Sequence, residues 1–385
     1  MTKGTVVIIA VVHWHFTWQS QHNMASEMAR LGYRVLFIEP LPKRWPRISE
    51  FSRVLGRLSG NNIAAGLCQQ PLVPGVELVS PHLLPDTGHI TRGINRRVFV
   101  PTISNRLKQD LNRPLIVINY LPTSASLALM EALQPDASFY HCINDWSNDP
   151  YAPAHEFEER LATSVDMVWA DSPVNIARTS RMSPNVVPLP HGVNIDLFRN
   201  AGHRPGISPK SPRCVYFGSI REGLDFDLLR AISHRFPLRL IGPVRASLNG
   251  FSKETEVVGP VPQEEIPKLL HDADVLLLPY AHTVHNKGIM PAKLFECLAT
   301  GIPIVAAGLE TVYDFADLIY IRETHDTFLD AIEESVREPE ELQYKRIALA
   351  EQYSYARRTI KIESYINQAL SHTLITSINH NQNIE

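Results

Sequence analysis

The 385-residue chain is poor in cysteine. Its four thiols, Cys68, Cys142, Cys214 and Cys297, lie far apart with no CxxC pair and no metal-ligand spacing. That excludes a disulfide framework and a zinc site and fits a reducing compartment. Nor does any stretch reach the roughly 20 apolar residues a membrane span requires. The first apolar run, Thr5 to Val12, follows one lysine and leads into HWHFTW rather than a small-residue cleavage site, so no signal peptide is expected and the setting is read as cytoplasmic. Charge of one sign is also missing: 37 Lys/Arg against 40 Asp/Glu leave −3, so nucleic acid is not an expected partner. No GxGxxG follows the first strand, which rejects a nicotinamide or flavin site there. There is no internal repeat and no low-complexity segment.

What is present is length and alternation. A chain of this size holds two cores. Apolar runs alternate with helical patterns, the signature of parallel sheets with crossover helices. In the first half, strands are expected at Thr5–Val12, Arg34–Glu39, Glu77–Ser80, Leu115–Leu121, Ser138–Asn144, Met167–Ala170 and Val186–Leu189. VVIIAVV and LIVINYL are continuously apolar, as suits strands covered on both faces. Arg199 to Arg213 has three prolines, two glycines and no aliphatic run and reads as a linker. The alternation then restarts with CVYFGSI, LRLIGP, DVLLLPY and IPIVAAG. The expected architecture is α/β, with two Rossmann-like, doubly wound domains in tandem facing an interdomain cleft. The expected boundaries are an amino-terminal domain over 1–198, a linker over 199–213, a second domain over 214–352 and carboxyl-terminal helices over 353–385.

Charge is uneven. Lys43 to Arg113 holds eleven Lys/Arg against four Asp/Glu, with Trp45, Phe51, Leu55 and Leu58 interleaved. Such a stretch either lies on an anionic membrane face or forms a solvated surface.

Ligands in open parallel sheets bind at the carboxyl ends of strands. The richest such segment is HNKGIMPAKLFECLATGIPIVAAG, His285 to Gly308. Pro291 suits the first position of a helix, and the amides of Gly288, Ile289 and Met290 would surround its N-terminus, an anion site. Lys293 and Glu296 share one face near that end: an ammonium for phosphate, a carboxylate for ribose hydroxyls. The same spacing also serves a plain surface ion pair. In the first half, His13, Trp14, His15 and Trp18 crowd the end of the first strand and suit either a sugar- or headgroup-facing wall or core packing. HCINDW brings His141 and Asp145 to another strand end, where Asp145 either accepts a proton from an acceptor hydroxyl or caps a turn. WADSP around Asp171 reads as a strand end with a Ser172 helix cap.

In order along the chain, these phrases resemble the GT-B glycosyltransferases, most nearly the family 4-like bacterial enzymes of surface-polysaccharide assembly. PHGVNIDLF (Pro190–Phe198) looks like the family's boundary motif and VYFGSI like the first strand and glycine turn of its donor domain. VVGPVPQEEIPKLLHDADVLLLPY is similar to its nucleotide wall, and PAKLFECLATGIPIVAA to its signature helix and strand. YHCINDW and WADSP resemble acceptor-domain phrases of a teichuronic-acid type subgroup. The resemblance implies transfer of a sugar from a nucleoside diphosphate donor, UDP by frequency, to a glycan or lipid-linked acceptor. It also implies carboxyl-terminal helices that cross back to the amino-terminal domain. Glu296 matches the second glutamate of the family's paired motif, whereas Gly288 stands where the first would be. Gly218, Ser219, Arg221, Gly242, Val261, Tyr280, Gly288, Ile289, Met290, Lys293 and Glu296 would hold the donor. His13, Trp14, His15, Trp18 and His141 would face the acceptor, and Asp145, Lys293 and Glu296 are the catalytic candidates. No cofactor or metal is expected, since no acidic pair ends a strand in the second domain. The rivals are a nucleotide-sugar epimerase on the same fold and a non-catalytic glycosyltransferase-like subunit.

Overall fold

A computed structural model of the chain describes residues 2–15, 18–42, 71–146, 155–201 and 211–382. Most of the interleaved basic stretch, Cys68, Ser147 to Asp149 and the middle of the Arg199–Arg213 segment lie outside the described residues.

Seven parallel strands form the first sheet: β1 (Thr5–Ile9), β2 (Arg34–Ile38), β3 (Val76–Val79), β4 (Leu115–Asn119), β5 (Ala137–Cys142), β6 (Met167–Ala170) and β7 (Val186–Pro188). Their spatial order is β3-β2-β1-β4-β5-β6-β7. Every residue of β1, β4 and β5 is buried, which explains the unbroken apolar runs: helices cover both faces. The strands stop two or three residues before their apolar runs do. At β1 the reason is visible. The Val11 N–H leaves the ladder and donates to Gln21 Oε1 at 2.8 Å, turning the chain out of the sheet.

The second sheet holds β8 (Cys214–Phe217), β9 (Leu238–Ile241), β10 (Glu256–Val258), β11 (Val275–Pro279), β12 (Ile304–Ala307) and β13 (Tyr320–Ile321), in the order β10-β9-β8-β11-β12-β13, again all parallel. In each sheet the order reverses beside the first strand, between β1 and β4 and between β8 and β11.

The chain divides into two units. One comprises Met1–Asp171, Asn175–Leu189 and Thr359–Glu385; the other comprises Ser172–Val174 and Pro190–Arg358. In the first, the long terminal helix Tyr355–Gln382 lays Ile362 and Ile366 into a core with Val6, Ile8 and Trp169. Lys3 donates to Glu363 at 2.9 Å on its flank. In the second, Pro190–Phe198 runs beside residues 353–358: the Val193 N–H donates to Tyr353 O at 3.0 Å and the Tyr355 N–H to Val193 O at 3.1 Å. Gly192 is required there, because a β-carbon would meet the Tyr355 ring.

Candidate active site

The second unit's switch point is built by glycines. Gly218 closes β8 with φ at +131°, and its missing side chain leaves room for the Lys293 ammonium. Gly242, φ +130°, ends β9 with its α-carbon directly against the Gly218 backbone, an approach that only glycine permits. Lys293 opens the helix Lys293–Thr300. Its Nζ donates to the Tyr216 hydroxyl at 2.8 Å and lies 4.4 Å from that ring and 5.8 Å from the ring of Tyr280. Burial works against the ammonium, but the Tyr216 and Tyr280 oxygens more than compensate, and its pKa is raised. Lys293 is therefore a cation at neutral pH, half-buried beside an open backbone turn.

One turn along, Glu296 accepts a hydrogen bond from Gln263 Nε2 at 2.7 Å. Burial lifts its pKa above the ordinary value, while Gln263, Lys293 and His191 pull the other way. A cation and a carboxylate thus stand on one helical face, at the carboxyl edge of the sheet, where the order reverses. Such a pair complements an anion attached to a diol.

The flanking assignments divide. Tyr280 follows β11 and reaches Lys293, and the Gly308 turn packs on its carbonyl. Val261 packs against the core from the exposed turn of residues 259–262. Ser219 sits on the turn, with its carbonyl accepting from the Tyr216 hydroxyl at 3.1 Å, and Arg221 is exposed just beyond. The expected amide nest is different. Gly288 and Ile289 both direct their N–H groups to Asn286 O, the latter at 3.0 Å, and Met290 is buried in the core. Pro291 precedes the N-cap Ala292 instead of occupying the first helical position. The cause is the short helix Val284–Lys287, whose carboxyl end uses those amides itself. Its Asn286 side chain, buried, donates to Gly223 O at 2.8 Å and Ala281 O at 2.7 Å and ties the loops after β8 and β11 together. Tyr216, Gln263 and Asn286 escaped the sequence reading. Only the polar character of Gln263 at a helix start hinted at one of them.

In the first unit, the aromatic cluster after β1 is largely structural. Trp14 is fully buried among Phe37, Trp18 and His22, and its indole N–H donates to Pro71 O at 3.3 Å. Trp18 donates to Asn23 Oδ1 at 2.7 Å. His22, absent from the expectations, organises the loop: Nδ1 accepts from the Gln19 N–H at 3.0 Å and Nε2 lies 3.1 Å from Trp14 O. Burial holds its pKa down at about 4. His13 Nδ1 approaches Glu39 at 3.4 Å, and His15 stands next in the loop, half-buried. Burial favours protonation of Glu39, yet bonds from His13, Ser80 and the Trp14 N–H bring its pKa to about 2.

His141 is buried in β5 with Nδ1 at 2.8 Å from the Tyr120 hydroxyl. Asp145 lies 3.5 Å from the Arg178 guanidinium, which also engages Glu158, Cys142 and the Asn144 carbonyl. Asp171 accepts from Asn175 Nδ2 at 2.8 Å, a structural role. The structure thus brings Lys293, Glu296, Gly218 and Tyr280 together, and separately gathers His13, Trp14 and Trp18.

Two units in one chain, each an open parallel sheet whose strand order reverses beside its first strand, have the architecture of the GT-B fold. Residues 222–364 match the glycosyl transferase-like family. TuaH of Bacillus subtilis (strain 168), a protein assigned to teichuronic acid biosynthesis as a glycosyltransferase, is 29% identical over 134 residues, which are 31% of this chain and 33% of that protein. Among solved structures, a UDP-forming α,α-trehalose-phosphate synthase of Burkholderia xenovorans is similar at a TM-score of 0.63 and 11% identity, over 96% of this chain and 99% of that one. A trehalose-6-phosphate structure from E. coli bound with UDP-2-fluoro glucose is similar at 0.60 and 8% identity, over 95% and 99%. At such identities the likeness speaks for the fold alone.

Proposed function

We propose that the chain is a glycosyltransferase that moves a sugar from a nucleoside diphosphate donor, UDP first, to a glycan or lipid-linked acceptor in cell-surface polysaccharide assembly. One observation carries the reading: the Lys293 ammonium occupies the space vacated at Gly218, with Glu296 one turn deeper on the same helix. Lys293 meets the diphosphate, and Glu296 meets the ribose hydroxyls through the carboxylate that Gln263 steadies. In the reaction the anomeric carbon exchanges its bond to the diphosphate oxygen for one to the acceptor oxygen. Negative charge grows on the leaving diphosphate, where Lys293 and the exposed Arg221 stabilise it without a metal ion. The first unit receives the acceptor beside His13 and His15, the half-buried histidines after β1, with Asp145 the group offered to the acceptor hydroxyl's proton. TuaH supports the polysaccharide setting and the UDP-2-fluoro glucose neighbour supports the donor class. The setting is the inner membrane face.

Calorimetry tests the donor site. Wild-type protein binds UDP, and Lys293→Ala and Glu296→Ala each weaken binding by about tenfold or more. Unchanged affinity in both variants removes the assignment. Incubation with a UDP-sugar alone separates transfer from its rival: an epimer formed without acceptor marks an epimerase.

A further inference from the structure

The segment His89–Lys108 is one continuous helical stretch: His89–Ile94, then a wider π turn over Asn95–Phe99, then Val100–Lys108. Its inner face holds Asn95, Val100 and Ser104, all buried. Asn95 fastens it by accepting from the Leu84 N–H at 2.9 Å and donating to the Leu84 carbonyl at 2.8 Å. The step from Asn95 to Val100 is five residues, the extra residue being the one the π turn inserts.

That insertion governs the outer face. In a plain α-helix each four-residue step advances by about 40°, so Ile90, Ile94 and Val98 would spread over about 80° of the surface. The wider turn takes back part of that rotation and keeps the three on one side. They are 80%, 38% and 53% exposed, an unusual choice for aliphatic side chains in a row. The stretch also carries five Lys/Arg and no Asp/Glu. Arg92 is engaged by Asp86 at 3.0 Å and Glu156 at 3.8 Å, and Arg96 by Glu131 at 3.7 Å. Arg97, Arg106 and Lys108 are exposed and form no ion pair among the described residues.

We infer that this face docks on an anionic lipid bilayer, with Ile90, Ile94 and Val98 entering the acyl boundary and Arg97, Arg106 and Lys108 meeting the headgroups. An aliphatic row flanked by unneutralised cations is the composition of a helix lying in the membrane interface. A second copy of the chain is disfavoured, because like cations would face each other, and nucleic acid would leave the aliphatic row without a partner. Among the described residues no helix is long and apolar enough to cross a membrane, so the contact is peripheral. The inference names the surface for the membrane setting proposed above and is independent of the donor site.

Flotation of the full chain with vesicles of mixed phosphatidylglycerol and phosphatidylcholine tests it, with pure phosphatidylcholine as the neutral comparison. Binding to the anionic vesicles at low salt is expected, weakening as salt shortens the screening length. The Arg97→Gln/Arg106→Gln/Lys108→Gln variant should bind about 100-fold more weakly. Ile90→Ser/Ile94→Ser/Val98→Ser should abolish flotation, with melting temperature and UDP binding of both variants unchanged. Absence of flotation at low salt, or equal flotation of both variants and wild type, overturns the inference. Loss of UDP binding in wild type would instead overturn the donor reading and leave this one standing.

Discussion

Gly218→Ala perturbs the proposed donor site at its most constrained point. A β-carbon there would land on the Lys293 ammonium and lie 3.0 Å from Lys293 Cε and 3.3 Å from the Tyr216 hydroxyl. Because Lys293 is long and flexible, it moves aside rather than breaking the unit open. The backbone strain remains, since φ of +131° suits glycine alone, at a cost of about 1–3 kcal/mol. Displacement also breaks the 2.8 Å bond from Lys293 to Tyr216 and carries the charge away from the turn. Losing one charged hydrogen bond from Lys293 to the diphosphate costs about 1.5–3 kcal/mol, so UDP affinity should fall by about 10- to 100-fold. Thermal unfolding should shift down by roughly 2–10 °C. Calorimetry with UDP and a thermal melt read the two effects separately. Gly242→Ala is the contrast: its β-carbon meets the Gly218 backbone, which cannot step aside, so the larger loss there is of stability. If Gly218→Ala binds UDP with wild-type affinity, Lys293 does not hold the diphosphate at this turn and the argument fails.

Three further outcomes are expected. Because burial raises the Glu296 pKa, its contribution to stability is present below the unfolded value near 4.5 and is lost as pH rises through the folded value. Glu296→Gln should therefore flatten the decline in urea stability above pH 4.5 while weakening UDP binding; an unchanged pH profile would contradict the burial argument. Glu39 runs the other way: brought down to about 2, it stabilises above 4.5, and the benefit, about 3 kcal/mol at most, disappears as pH falls between the two. Glu39→Gln should abolish that acid-sensitive portion in denaturation measured over the same range. For Asp145→Asn, transfer should fall at least about 10²-fold with UDP binding intact, as for loss of a proton acceptor; near-normal turnover would leave Asp145 as the structural partner of Arg178 alone.

The fold was legible because its central strands are apolar throughout. VVII, LIVI and VLLLP can be buried only between helices, and Phe226–Arg235 shows its helix by spacing alone. Lys293 and Glu296 were legible too, since three residues of separation place them on one helical face wherever the helix goes. Local spacing carries no information about contacts between distant segments, however. Tyr216 meets Lys293 across 77 positions and Gln263 meets Glu296 across 33, pairings that exist only once the sheet sets β10, β9, β8 and β11 in order. The amides of Gly288 and Ile289 looked available in a linear reading, but Asn286 claims them through a short helix that composition did not announce. Trp14 and Trp18 resembled a sugar-facing wall until packing placed Trp14 wholly inside. Side-chain type and period along the chain determine which residues leave water; which of the buried ones touch is set by how the strands are ordered in the sheet.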